Sequence, residues 1–163
     1  MVAVESDPAW ISALRNHPEV VEAIGDGKLS LVHGNIGPVG SFGYPRDYGS
    51  ETLDKVLWPN YIQAGWQEVS RRGYVPDLVY VDGRFRVGCC LSVVLACKEY
   101  IPVGQAPQVL VHDIAGDRPH YEPLFRFFDV VEAVNTLRLL RIKADASISD
   151  AVALLLNYQF DPR

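Results

Sequence analysis

Two short runs, Leu78-Val79-Tyr80-Val81 and Val109-Leu110-Val111, are apolar at every position, and they constrain this chain more than any other feature. A strand with one face in water alternates apolar and polar residues. A strand apolar on both faces must be covered on both, and a parallel sheet flanked by helices does this. Further short strand candidates lie at 2–5 and 29–33, and helical segments separate all four. Alternating strand and helix predicts an α/β sheet with right-handed crossovers.

The helical segments have readable ends. Asp7-Pro8 supplies an N-cap and a first-turn proline for a helix over 8–16. A second helix, 18–24, stops at Gly25-Asp26-Gly27, and a third is predicted over 51–72, interrupted near Trp58-Pro59 and closed by Gly73. Its Trp58, Tyr61 and Trp66 share a helical face and suit core packing. Residues 85–100 are apolar all round, which predicts a buried helix, and Pro119 opens a short one over 119–128. The period then changes. Residues 130–134 and 137–142 read as an antiparallel hairpin joined at Asn135-Thr136, and Ser149-Asp150 caps a last helix to about 157. The long loop, 34–49, holds five glycines and two prolines.

The chain has 163 residues, which suits a single domain spanning 1–163 with one core. Its net charge of −5 gives no basic footprint for a nucleic-acid backbone. No apolar run approaches the ~20 residues of a membrane span. The start, Met1 to Val4 followed by Glu5 and Asp7, is too short and too acidic for a signal peptide. Cys89, Cys90 and Cys97 fall in one apolar stretch and read as reduced core thiols, so a cytoplasmic protein is expected.

Ligands of open α/β sheets bind beyond the carboxyl ends of the strands. Here those ends carry Glu5, His33 with Asn35 just beyond, Asp82, and His112-Asp113. Glu5 can accept hydrogen bonds from a ribose diol or cap the helix that follows. Asp82 could orient a substrate, hold a cation, act as a base, or pair with Arg84 or Arg86. His112, Asp113, Asp117, His120 and Glu122 lack the spacing of a zinc motif. Adjacent residues of an extended strand also diverge, so no metal site is expected. No dinucleotide fingerprint, Walker loop or nucleophile elbow is present.

Four segments resemble the strands of class I S-adenosylmethionine-dependent methyltransferases. Val-Ala-Val-Glu-Ser-Asp-Pro-Ala-Trp at 2–10 is similar to the family's second strand, and Leu-Val-His-Gly-Asn-Ile-Gly-Pro at 31–38 to its third strand and loop. Asp-Leu-Val-Tyr-Val-Asp-Gly-Arg-Phe-Arg at 77–86 is similar to the fourth. Residues 109–113 with Arg118-Pro119-His120-Tyr121 are similar to the fifth. The resemblance implies a Rossmann-like three-layer sandwich whose mostly parallel sheet ends in an antiparallel hairpin. The family's first strand and glycine-rich cofactor loop have no counterpart in this sequence, so an N-terminally incomplete version is expected.

The resemblance also implies S-adenosylmethionine as cofactor, with Glu5 and Ser6 at its ribose and Asn35 and Ile36 at its adenine. It places Asp82, His112 and Asp113 near a small oxygen or nitrogen acceptor. A monomer or homodimer with no nucleic-acid or membrane partner is expected. The alternatives are a non-catalytic Rossmann-like remnant used for binding or assembly, and a nucleotide-sugar or dinucleotide enzyme.

Overall fold

The computed structural model describes every residue except 47, 51–54, 100, 102–104 and 115–117. The chain divides into two compact units, Met1–Tyr74 and Val75–Arg163, each with its own sheet.

In the first unit, β1 (Val2–Glu5) and β2 (Ser30–His33) pair in parallel, from Val2 against Ser30 to Glu5 against His33. Helices α1 (Pro8–Arg15) and α2 (Pro18–Gly25) connect them. Asp7 caps α1, its carboxylate accepting from the Ala9 amide at 2.8 Å, and proline opens both helices. Helix α3 (Pro59–Arg72) packs on both strands and ends at Gly73 in the left-handed conformation, φ 67°. The packing is close because glycines sit where the surfaces meet. A Cβ on Gly34 would lie 2.8 Å from Val4 Cγ1 and 2.9 Å from Tyr61 Cδ2. Glu68 of α3 accepts from Ser30, Arg71 and Arg72, which ties the helix to β2.

The second unit has a four-stranded sheet of order β3-β4-β6-β5, made of Leu78–Val81, Gln108–Val111, Leu137–Ile142 and Phe128–Val134 respectively. The β3–β4 pair is parallel and the other two pairs are antiparallel. The hairpin turns at Asn135, φ 52°, a residue type that tolerates the left-handed region. Helices α4 (Arg86–Glu99) and α5 (Ile148–Tyr158) pack together. The core is formed by Phe85, Leu91, Val93 and Val94 with Val109, Val111, Leu124 and Leu140, all buried. Cys89 and Cys90 belong to this apolar face, and burial pushes their thiols up, Cys89 to about 12. The first amides of α4 are capped from far along the chain: Phe85 and Arg86 donate to the carbonyls of Pro162 and Arg163 at 3.3 and 3.2 Å.

Several expectations need correction. Among the described residues there are two small sheets rather than one mostly parallel sheet, and the larger is mixed. Among the described residues, β1 and β3 each pair on one side only. Helix α3 begins at Pro59, the expected point of restart, because proline fits the first helical position but not the interior, and residues 55–58 ahead of it are not helical. Residues 51–54 and 100, also assigned to helices, lie outside the described residues. Pro119–Arg126 is a 3-10 helix, and Pro123 inside it cannot donate the i to i−4 bond of an α-helix. Ser147, not Ser149, caps α5 by accepting from the Asp150 amide at 3.3 Å. Among the described residues no helix is long and apolar enough to cross a membrane.

Candidate active site

The chemically richest cluster lies in the second unit, at the carboxyl ends of β3 and β4. Register creates it. Val81 is opposite Val111, and the His112 amide continues the ladder by donating to the Val81 carbonyl at 3.1 Å. Asp82 and His112 therefore form the next pair along two adjacent parallel strands, and their side chains leave on the same face. His112 Nδ1 stands 2.7 Å from Asp82 Oδ1. An ionised carboxylate only accepts, so the ring donates from Nδ1 and a neutral His112 keeps Nε2 as a bare acceptor. Both side chains are about half open to solvent, at 42% and 45% exposure.

Tyr80, two residues before Asp82, shares that face, and its hydroxyl donates to Asp82 Oδ2 at 3.0 Å. Partial loss of solvent and the neighbouring Asp82 carboxylate raise the Tyr80 phenol above its ordinary value. The Asp82 side chain is thus held by Tyr80 and His112 rather than by an arginine. Arg86 reaches only the main-chain carbonyl of Asp82, at 3.2 Å.

Asp113 joins the cluster through an unusual backbone. Extended neighbours diverge, but Asp113 has φ 65°, and this turn brings Oδ1 to 3.8 Å from His112 Nδ1. Its Oδ2 accepts from Arg86 at 3.1 Å and lies 3.4 Å from Arg118. Burial pushes the Asp113 carboxyl up, but Arg86, Arg118 and His112 outweigh it and hold the group below the usual carboxylate range. Arg86 is buried and also donates to the Tyr121 hydroxyl at 2.8 Å. Asp113 therefore anchors a charged network beside the Asp82–His112 pair. The roles of Tyr80, Arg118 and Tyr121 were not read from sequence; for Tyr80 the signal was its spacing of two from Asp82. Asp117 lies outside the described residues. Among the described residues no group of three His, Cys, Asp or Glu side chains is arranged to hold a metal ion.

The four residues assigned to the cofactor all lie in the first unit. Glu5 ends β1, and its Oε1 accepts from the amides of Ser6 and Asp7 at 2.6 and 2.8 Å. This orients the carboxylate and leaves Oε2 for an incoming hydroxyl. Ser6 is buried, and its carbonyl lies 3.2 Å from His33 Nε2. Asn35 Oδ1 accepts from the Gly37 amide at 3.0 Å, an Asx turn that retains one lone pair on the oxygen. The Ile36 side chain is buried, so only its backbone could meet a ligand. These residues suit the ribose and adenine of a nucleoside.

Comparison with known proteins supports the fold. A crystal structure of a methyltransferase-like protein from Silicibacter pomeroyi DSS-3 superposes with a TM-score of 0.65 at 24% identity, over 99% of this chain and 76% of that one. At that identity the likeness establishes a methyltransferase-like fold. No protein-family profile matches the chain. No curated protein sequence matches it either.

Proposed function

We propose that the chain is an S-adenosylmethionine-dependent methyltransferase acting on a small hydroxyl or amine acceptor, with His112 as the general base. The observation that carries this reading is the 2.7 Å contact between Asp82 Oδ1 and His112 Nδ1 at two adjacent strand ends. Methyl transfer needs an in-line approach of acceptor and donor, and an acceptor that must lose a proton needs a base within hydrogen-bond reach. Neutral His112 offers Nε2 for that proton, and Asp82 holds the ring and stabilises the imidazolium that forms. The cofactor, when bound, supplies a methyl group activated by a sulfonium. Glu5 would hold its ribose hydroxyls through Oε2, and Asn35 with the Ile36 backbone would meet its adenine. Asp113, held by Arg86 and Arg118, fixes the strand end from which His112 projects.

Calorimetric titration with S-adenosylhomocysteine, NAD and a sugar nucleotide tests the cofactor class. Binding of the first alone, weakened in Glu5→Gln, is expected. Binding of NAD or the sugar nucleotide instead would replace this reading with the corresponding enzyme class. Asp82→Asn should abolish methyl transfer while moving the Tm by no more than a few degrees, because Asp82 stands in a half-exposed cluster outside the apolar core. A fully active variant would remove Asp82 from the mechanism.

A further inference from the structure

We infer that Tyr80 is a positioning residue, which acts through Asp82 to keep neutral His112 in the Nδ1–H tautomer with Nε2 facing outward. The inference deepens the proposed function in naming what Nε2 serves, but the tautomer is a property of the protein without any substrate.

A half-exposed carboxylate on two rotatable bonds is not fixed by a single hydrogen bond. Asp82 has one on each oxygen: His112 Nδ1 at Oδ1, 2.7 Å, and the Tyr80 hydroxyl at Oδ2, 3.0 Å. Together they define the plane of the carboxylate and hence the direction from which the imidazole is held. Arg86, the nearby cation that could have done this, is directed to the Asp82 main-chain carbonyl, Asp113 and Tyr121. Tyr80 is 55% exposed, so its place is not dictated by the core. Its distinctive contribution is the hydroxyl.

The same arrangement narrows the chemistry. With both oxygens of Asp82 hydrogen-bonded and Asp113 Oδ2 held by two guanidiniums, the basic nitrogen that this cluster turns to an acceptor is His112 Nε2. A phenol at position 80 then matters to catalysis without touching the acceptor.

Nitrogen-15 NMR of the imidazole, with the His112 signals assigned by their loss in His112→Gln, reads this directly. At a pH where the ring is neutral, the unaltered chain should show a protonated Nδ1 and a bare Nε2. Tyr80→Phe should move both nitrogens toward an average of the two tautomers, with an unchanged circular dichroism spectrum. Loss of one net hydrogen bond, about 0.5–1.5 kcal/mol, corresponds to a fall in kcat of roughly two- to tenfold, with KM changed less than twofold. A protonated Nε2 as the main neutral form of the unaltered chain would overturn the inference. So would wild-type nitrogen shifts in Tyr80→Phe. If the unaltered chain transfers no methyl group, the proposed function falls, and the nitrogen shifts, which need no substrate, still decide the role of Tyr80.

Discussion

Asp113 shows at the scale of one residue how far a sequence can be read. Strand alternation argues correctly that His112 and Asp113 diverge while the backbone is extended, but Asp113 adopts φ 65° and returns beside its neighbour. Left-handed backbone at an aspartate is uncommon and has no reliable local signature. The polar strand ends, by contrast, were legible, because each closes an apolar run. The Asp113 carboxyl sits below its unfolded value, so it stabilises the fold above the ordinary carboxylate range near 4, and that stability is lost as pH falls through the lowered folded value. Asp113→Asn should therefore be clearly less stable than the wild type at pH 7 in urea unfolding, with the gap narrowing by pH 3. A gap of equal size at both pH values would mean that packing, not charge, holds this residue.

Elements were more legible than residues where a chemical punctuation mark was present. Asp7-Pro8, Gly73 and the Asn135 turn each have one local physical cause, and the structure uses them as expected. Helix α3 starts at Pro59, where the sequence places a restart, because proline suits a first helical position. What sequence hides is the distance between elements. Gly34 reads as a loop glycine, yet a Cβ there would lie within 3 Å of both Tyr61 of α3 and Val4 of β1. Gly34→Ala should destabilise the protein by about 1–3 kcal/mol, the usual cost of overpacking, as measured by urea unfolding. A neutral result would mean that α3 moves away freely. Strand β3 carries a second expectation. The Asp77 and Val81 carbonyls accept from Gln108 and His112, so parallel geometry turns the groups of 77, 79 and 81 toward β4 and those of 78 and 80 toward the unpaired side. Hydrogen exchange should be slow at the Val79 and Val81 amides and fast at Leu78 and Tyr80. Uniform protection along β3 would show that another strand pairs with it in solution.

For the whole molecule, the order of elements was legible and their grouping was not. Periodicity assigns strands and helices, and both-sided apolar runs assign parallel pairing, but neither says where a ladder of hydrogen bonds stops. It stops twice here, after β1–β2 and at β3, and the result is two small sheets. The cap on α4 carries a different kind of consequence. The amides of Phe85 and Arg86 face carbonyls 77 residues later in the sequence, those of Pro162 and Arg163. During synthesis the start of α4, a few residues after Asp82, must wait with its donors in water while β4, β5, β6 and α5 are made. The unit can collapse on its apolar helix early, but the first turn of α4 acquires its caps only once Pro162 and Arg163 have been made.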